Sequence, residues 1–152
     1  IYTLTGILNP KKSSINPNEL VPGDGYNSPA ALAAVAKELG KTVFVKITTD
    51  GNKQIGAVYG GEEDRCIKVL GTNNVKTNAT YELGSTTTWV QLICVSVGGD
   101  LSQLHWIARG SDGKYYDSDD GTYGNEWGEP DFGKPFTGKN DYAFAGLWVE
   151  VG

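Results

Sequence analysis

One stretch narrows the folding options more than any other. Residues 28–40, "SPAALAAVAKELG", carry a start signal, a periodic body and a stop signal for one helix. Ser28 can cap the first turn, and Pro29 suits the first helical position, where its missing N–H costs nothing. Ala30 to Leu39 are strong helix formers, with Leu32, Val35, Ala36 and Leu39 at helical spacing. Gly40 ends the segment, because glycine enters the left-handed conformation at little cost.

After Gly40 the pattern changes to strands. "TVFVKIT" alternates and stops at "DGN". "IGAVYG", "CIKVL" and "ATYEL" read as shorter strands. "TTTWVQLICVSV" is a longer apolar run, expected at the centre of a sheet. "LHWIARGSDGKYYDSDDG" reads as a hairpin and "YAFAGLWVEV" as a final strand. The 21 glycines, 8 tyrosines and 4 tryptophans agree with a turn-rich, strand-rich chain. The expected class is α+β, with one N-terminal buried helix packed on a twisted antiparallel sheet. A chain of 152 residues fits one domain. Residues 1–23, rich in Pro, Asn, Lys and Ser, read as an extended arm, and 24–152 as that domain. Residues 121–140 form a Gly/Pro/Asp-rich loop with Trp127 and Phe132, long enough to expect a functional role.

Several classes drop out. The net charge of -5 argues against non-specific nucleic-acid binding, which needs a basic footprint. No apolar run is long enough to span a bilayer, and no signal peptide is present. One His and two separated Cys match no common zinc spacing, so neither metal nor cofactor is expected. Cys66 and Cys94 read as two buried thiols rather than a disulfide. "NAT" at Asn78 is a glycosylation triplet that arises often by chance. The absence of Met predicts a processed or trimmed chain.

The hairpin carries the chemistry. Its turn, "GSDGK", suits a three-residue loop, Ser111-Asp112-Gly113, with Gly113 left-handed. Gly110 then pairs with Lys114, and Ala108 falls opposite Tyr116. Counting outward sets Ile107 opposite Asp117 and His105 opposite Asp119. Side chains two apart share a face, so His105, Asp117 and Asp119 lie together. A two-residue turn would shift the register and make Asp120 the partner. Either register sets an imidazole beside a carboxylate, which can fix its tautomer and stabilise its charged form. The plainer alternative is a surface histidine near an acidic turn, or a weak calcium loop lacking the full spacing and terminal Glu of an EF-hand.

"HW", a short hairpin and an aromatic-aromatic-Asp-Ser strand together resemble the His and acid half of papain-like cysteine peptidases. Ubiquitin-like proteases, josephin-type deubiquitinases and picornaviral leader proteases show similar arrangements. The resemblance implies His105 as base and Asp117 as the acid that orients it, with Asp119 as fallback. "NSPAALAAVAKELG" resembles the helix that carries the nucleophile in such folds. It is close to the "CGPAAL" start of bacteriocin-processing peptidases, and "DGYNS" is loosely similar to the "DGNC" of ovarian-tumour-type deubiquitinases. The resemblance spans roughly residues 22–120.

No cysteine occupies the nucleophile slot. Ser28 is the best match, and Asn27 matches if the "CGPAAL" alignment is taken literally. A helix N-terminus and a nearby imidazolium lower a thiol pKa, whereas a serine hydroxyl starts far higher. Ser28 therefore predicts a weak or dead enzyme, whether by nature or by deliberate substitution. Cys66 and Cys94 sit in expected strands, away from any helix N-terminus. The oxyanion donors implied are the N–H of residue 28 and the amide of Asn18 or Asn27. Trp106 is a candidate for the cleft wall, with core packing as its commoner fate. A second alignment likens "ALAAVAKELGKTVFVKITTDG" to a later helix and strand of ovarian-tumour-type proteases, which would set the Cys helix before Ile1.

Two kinds of function follow. The first is a cysteine protease or isopeptidase acting on a polypeptide, with a ubiquitin-like tail among the candidates. The second is a secreted, strand-rich binding module of lectin or adhesion type, or a protease fold that binds without cutting. A sandwich lectin has no reason to bury an alanine-rich helix, which favours the first.

Overall fold

The computed structural model describes residues 11–12, 20–21, 28–58, 60–84 and 89–152. Lys11–Lys12 (β1) and Leu20–Val21 (β2) pair as a short antiparallel ribbon. The rest of the expected arm, with Asn18 and Asn27, lies outside the described residues.

The first helix, α1, runs Pro29–Glu38. Ser28 has extended backbone, and its Oγ accepts the Ala31 N–H at 3.1 Å. At the other end Gly40 sits at φ +73°. The N–H groups of Gly40 and Lys41 donate to the carbonyls of Lys37 (2.9 Å) and Ala36 (3.0 Å), a Schellman pair that satisfies the last turn. Strand β3, Val43–Ile47, follows with alternating burial.

The next segment departs from the sequence reading. The chain has three helices among the described residues, not one. "DGN" is no turn: it lies in α2, Thr49–Val58. Thr48 Oγ1 accepts the Gly51 N–H at 2.9 Å, and Asp50 sits in the first turn, where the helix dipole favours an acid. Gly51 is glycine because of packing: a Cβ there would lie 2.7 Å from the Gly146 carbonyl oxygen. "IGAVYG" thus begins as the last turn of α2, and "CIKVL" is the second half of α3, Glu62–Leu70. Glu62 and Cys66 are buried on α3 while Val69 and Leu70 are partly buried against the same core, which is helical spacing. Read from Cys66 onward, that period is too short to see. A single 3₁₀ turn, Thr72–Asn74, leads to β4, Val75–Lys76. "ATYEL" joins no strand ladder.

The remaining strands are β5 (Val90–Val97), β6 (Asp100–Gly110), β7 (Tyr115–Asp117), β8 (Thr122–Asn125), β9 (Pro135–Phe136) and β10 (Lys139–Val151). Their order is β4-β3-β10-β5-β6-β7-β8, with β9 pairing on β10. The long apolar strand β5 holds the middle of that path, as its composition implied. The sheet is mixed rather than purely antiparallel, because β3 and β4 run parallel.

The sheet buries both faces. The first packs against the helices, with Ala30, Ala33, Val45, Ile55, Cys66 and Leu147 in its core. The alanines of α1 let the helix approach closely. The second face holds Ile93, Ile107, Tyr115, Phe144 and Trp148, closed by Trp127 from the 121–140 segment. Trp127 is 2% exposed and stacks on Tyr115 with centroids 4.9 Å apart. Each such side chain contributes about 1.5–3 kcal/mol of burial. The expected long loop therefore contains β8 and β9, and its tryptophan is core. The fold is α+β, with helices on one face of the sheet and loops on the other.

Candidate active site

The β6–β7 hairpin forms with the expected turn. Gly113 is left-handed at φ +81°, and the Gly110 N–H donates to the Lys114 carbonyl at 3.0 Å. Arg109 pairs with Tyr115 and Ala108 with Tyr116. The ladder stops there, and Asp117 turns inward instead of continuing opposite Ile107. Its side chain is fully buried. His105 Nε2 lies 2.7 Å from Asp117 Oδ1, and the imidazole is 27% exposed. The same Oδ1 accepts the Asp119 N–H at 3.0 Å, while Oδ2 accepts the Tyr142 hydroxyl at 2.9 Å.

The three carboxylates considered from the sequence are thus separated by geometry. Asp117 bonds the imidazole. Asp119 contributes its backbone N–H and leaves its side chain exposed. Asp120 pairs with Lys139 at 2.9 Å and accepts the Thr122 N–H. The Thr122 and Lys139 hydrogen bonds hold the Asp120 carboxyl well below the usual carboxylate range. A carboxylate only accepts, so the neutral imidazole donates through Nε2 and keeps a lone pair on Nδ1. Nδ1 is the nitrogen available for proton transfer.

His105 is paired with Val95 of the second core, so it projects from the second face, as does Asp117. Its ring lies 5.6 Å from that of Tyr142. Trp106 points the other way and packs half-buried against the first core. Ser28 caps α1, which also packs on the first face. The structure joins His105 to Asp117. It leaves Ser28 at the start of a helix packed on the opposite face.

The first-turn donors of α1 are paired within the described residues. Pro29 has no N–H, Glu62 Oε1 accepts the Ala30 N–H at 2.9 Å, and Ser28 Oγ takes that of Ala31. Glu62 Oε2 in turn accepts Arg65 Nε at 2.8 Å. A buried carboxylate thus occupies the positive end of the helix, where an anion is favoured. Glu62 also lines a cavity of about 270 Å³ with Ile47, Asn52, Ile55, Asp64 and Leu147. Nothing near residue 62 in the sequence marks it as a partner of residue 30.

Both cysteines are free and buried. Burial pushes the Cys94 thiol up to about 12, and burial with the Glu62 charge does the same to Cys66. Neither is a thiolate at neutral pH, which keeps both out of nucleophilic chemistry. Among the described residues no three His, Cys, Asp or Glu side chains cluster as metal ligands, and no helix is long and apolar enough to cross a membrane.

Arg109 was not singled out by the sequence. It is 3% exposed on the same face as His105 and is bonded twice to Glu129, at 2.8 and 2.6 Å. It also donates to the Tyr81 hydroxyl and the Gly113 carbonyl, each at 3.1 Å. These bonds tie the hairpin turn, the residue-81 segment and the residue-129 loop together at the turn end of the hairpin.

A family model described as invasion plasmid antigen J, cysteine protease, matches residues 2–152. No curated protein and no solved structure matches the chain.

Proposed function

The chain belongs to the invasion plasmid antigen J cysteine protease family, and from that premise we propose a papain-like peptidase site acting on a polypeptide. His105 is the general base through Nδ1, and Asp117 orients it through Nε2. The nucleophile position lies at the start of α1, at Ser28 or, by the literal alignment, at Asn27. The N–H of residue 28 and the amide of Asn27 or Asn18 are the proposed oxyanion donors. Cleavage of a ubiquitin-like tail is the narrower form of this proposal.

The observation that carries the reading is the 2.7 Å contact between His105 Nε2 and the fully buried Asp117. With a cysteine in the slot, the thiolate attacks the amide carbonyl. The C–N bond breaks as the imidazolium of His105 protonates the leaving amine. His105 then takes a proton from the water that hydrolyses the thioester and releases the thiolate. As the sequence stands, a serine or asparagine gives no thiolate, so cleavage is expected to be weak or absent. A second reading, a protease fold that binds without cutting, draws on Ser28 Oγ being engaged as a helix cap.

The test introduces Ser28→Cys and Asn27→Cys separately and follows iodoacetamide alkylation from about pH 5 to 9, with and without His105→Ala. Fast alkylation below neutral pH that disappears with His105→Ala supports the site and identifies its position. Ordinary thiol reactivity at both positions, indifferent to His105, removes the nucleophile assignment and leaves the binder.

A further inference from the structure

We propose that Tyr142 is a positioning residue for the His105–Asp117 pair: its hydroxyl fixes the plane of the Asp117 carboxylate and thereby the Nε2–H tautomer of His105. The inference rests on the reading of His105 as the base. It concerns what makes that base competent.

Asp117 accepts three hydrogen bonds, and they divide unevenly. Oδ1 takes His105 at 2.7 Å and the Asp119 N–H at 3.0 Å, while Oδ2 takes the Tyr142 hydroxyl at 2.9 Å. The Asp119 bond spans two residues and belongs to the turn itself. The Tyr142 bond spans 25 residues and is buried. It is the link between the acid and a central strand of the sheet. Without it, Oδ2 would be a carboxylate oxygen turned into an aromatic core, and the group would rotate to find another donor.

Tyr142 is itself held on three sides. Its backbone pairs with Val97, its ring meets Trp127 edge-on at 6.0 Å, and the Lys139 ammonium lies 5.0 Å from the ring centre. Its ring also rests against the imidazole it serves. The charged groups around it are Asp117, Asp119, Asp120 and Lys139. Burial first, then the bond to Asp117, pushes the phenol above its ordinary value, so it remains a protonated donor at neutral pH.

The chain's one histidine makes the test clean, because its ring nitrogens give one set of ¹⁵N signals. In the unsubstituted protein the neutral ring is expected as the Nε2–H tautomer with a slowly exchanging proton. Tyr142→Phe keeps the ring and removes the donor. Exchange of the Nε2 proton should then accelerate about tenfold or more, with the Nδ1–H tautomer appearing. Asp117→Ala should abolish the protected proton altogether. If it does not, the His105–Asp117 reading itself fails. If Asp117→Ala acts as stated but Tyr142→Phe leaves exchange and tautomer unchanged, the role of Tyr142 alone is overturned. Incorporating 3-fluorotyrosine keeps the proposal testable should Tyr142→Phe not fold. The more acidic phenol should draw charge from Asp117 and move the His105 Nε2 proton upfield, and an unmoved resonance refutes the proposal.

Discussion

Removing the Glu62 carboxylate tests whether α1 depends on a partner distant in sequence. Glu62→Ala deprives the buried Ala30 N–H of its acceptor, 2.9 Å away, and strands Arg65. An unsatisfied buried N–H costs about 1–3 kcal/mol. The Arg65 side chain is 53% exposed, so losing its ion pair adds about 1 kcal/mol or less. The sum is about 1–4 kcal/mol. Glu62→Gln keeps an oxygen for Ala30 and should cost about 1 kcal/mol. Glu63→Ala, on the same cavity wall but without the bond, should stay within about 0.5 kcal/mol. Urea unfolding followed by tryptophan fluorescence reads all three. With a slope of about 2 kcal/mol per molar, Glu62→Ala should lower the midpoint by about 0.5–2 M at unchanged slope. Glu62→Ala within about 0.5 kcal/mol of the parent protein, or Glu62→Gln as damaging as Glu62→Ala, would refute the reasoning.

Three further outcomes are expected. Gly146→Ala should destabilise by about 3 kcal/mol or more in thermal unfolding, because the position is at φ +80° and a Cβ would lie 2.6 Å from Thr48 Oγ1 and 2.8 Å from Gly51 Cα; near-parental stability would contradict the helix–strand contact. Both thiols should be silent to a disulfide reagent at about pH 8 while the chain is folded and react fully once it unfolds, since both are buried; a fast-reacting thiol in the native protein would contradict this. The Arg109 hydrogen bond holds Glu129 below the ordinary carboxylate value, so its contribution is present above about pH 4.3 and lost as pH falls through the folded value. The stability gap between the parent and Glu129→Gln should therefore close in acid, and a gap persisting at about pH 2 speaks against the pair.

The parts of the site legible in the sequence are those whose causes are local. The turn that sets the β6–β7 register needs only Ser111, Asp112 and Gly113. It brings Asp117 and His105 to one face without any tertiary contact. Choosing Asp117 over Asp119 required more. The ladder ends after Ala108 and Tyr116, and the choice depends on where Asp117 turns once pairing stops. Helices α2 and α3 are hidden in the sequence for a related reason. Gly51 looks like a turn residue, yet it serves the approach of α2 to Gly146, which lies almost a hundred positions later.

By itself the sequence determined α1 from Ser28 to Gly40, the long strands, the α+β class and the histidine–carboxylate hairpin. Each follows from signals that act over a few residues: capping, periodicity and turn conformation. Only the tertiary structure decided which groups meet across the sheet. Glu62 reaches Ala30 over 32 positions, Tyr142 reaches Asp117 over 25, and Glu129 reaches Arg109 over 20. It also set α1 and His105 on opposite faces of the sheet. Those contacts come from the strand order, in which β10 is inserted between β3 and β5. Local propensity cannot encode that order, because it is chosen by the burial of two whole faces at once.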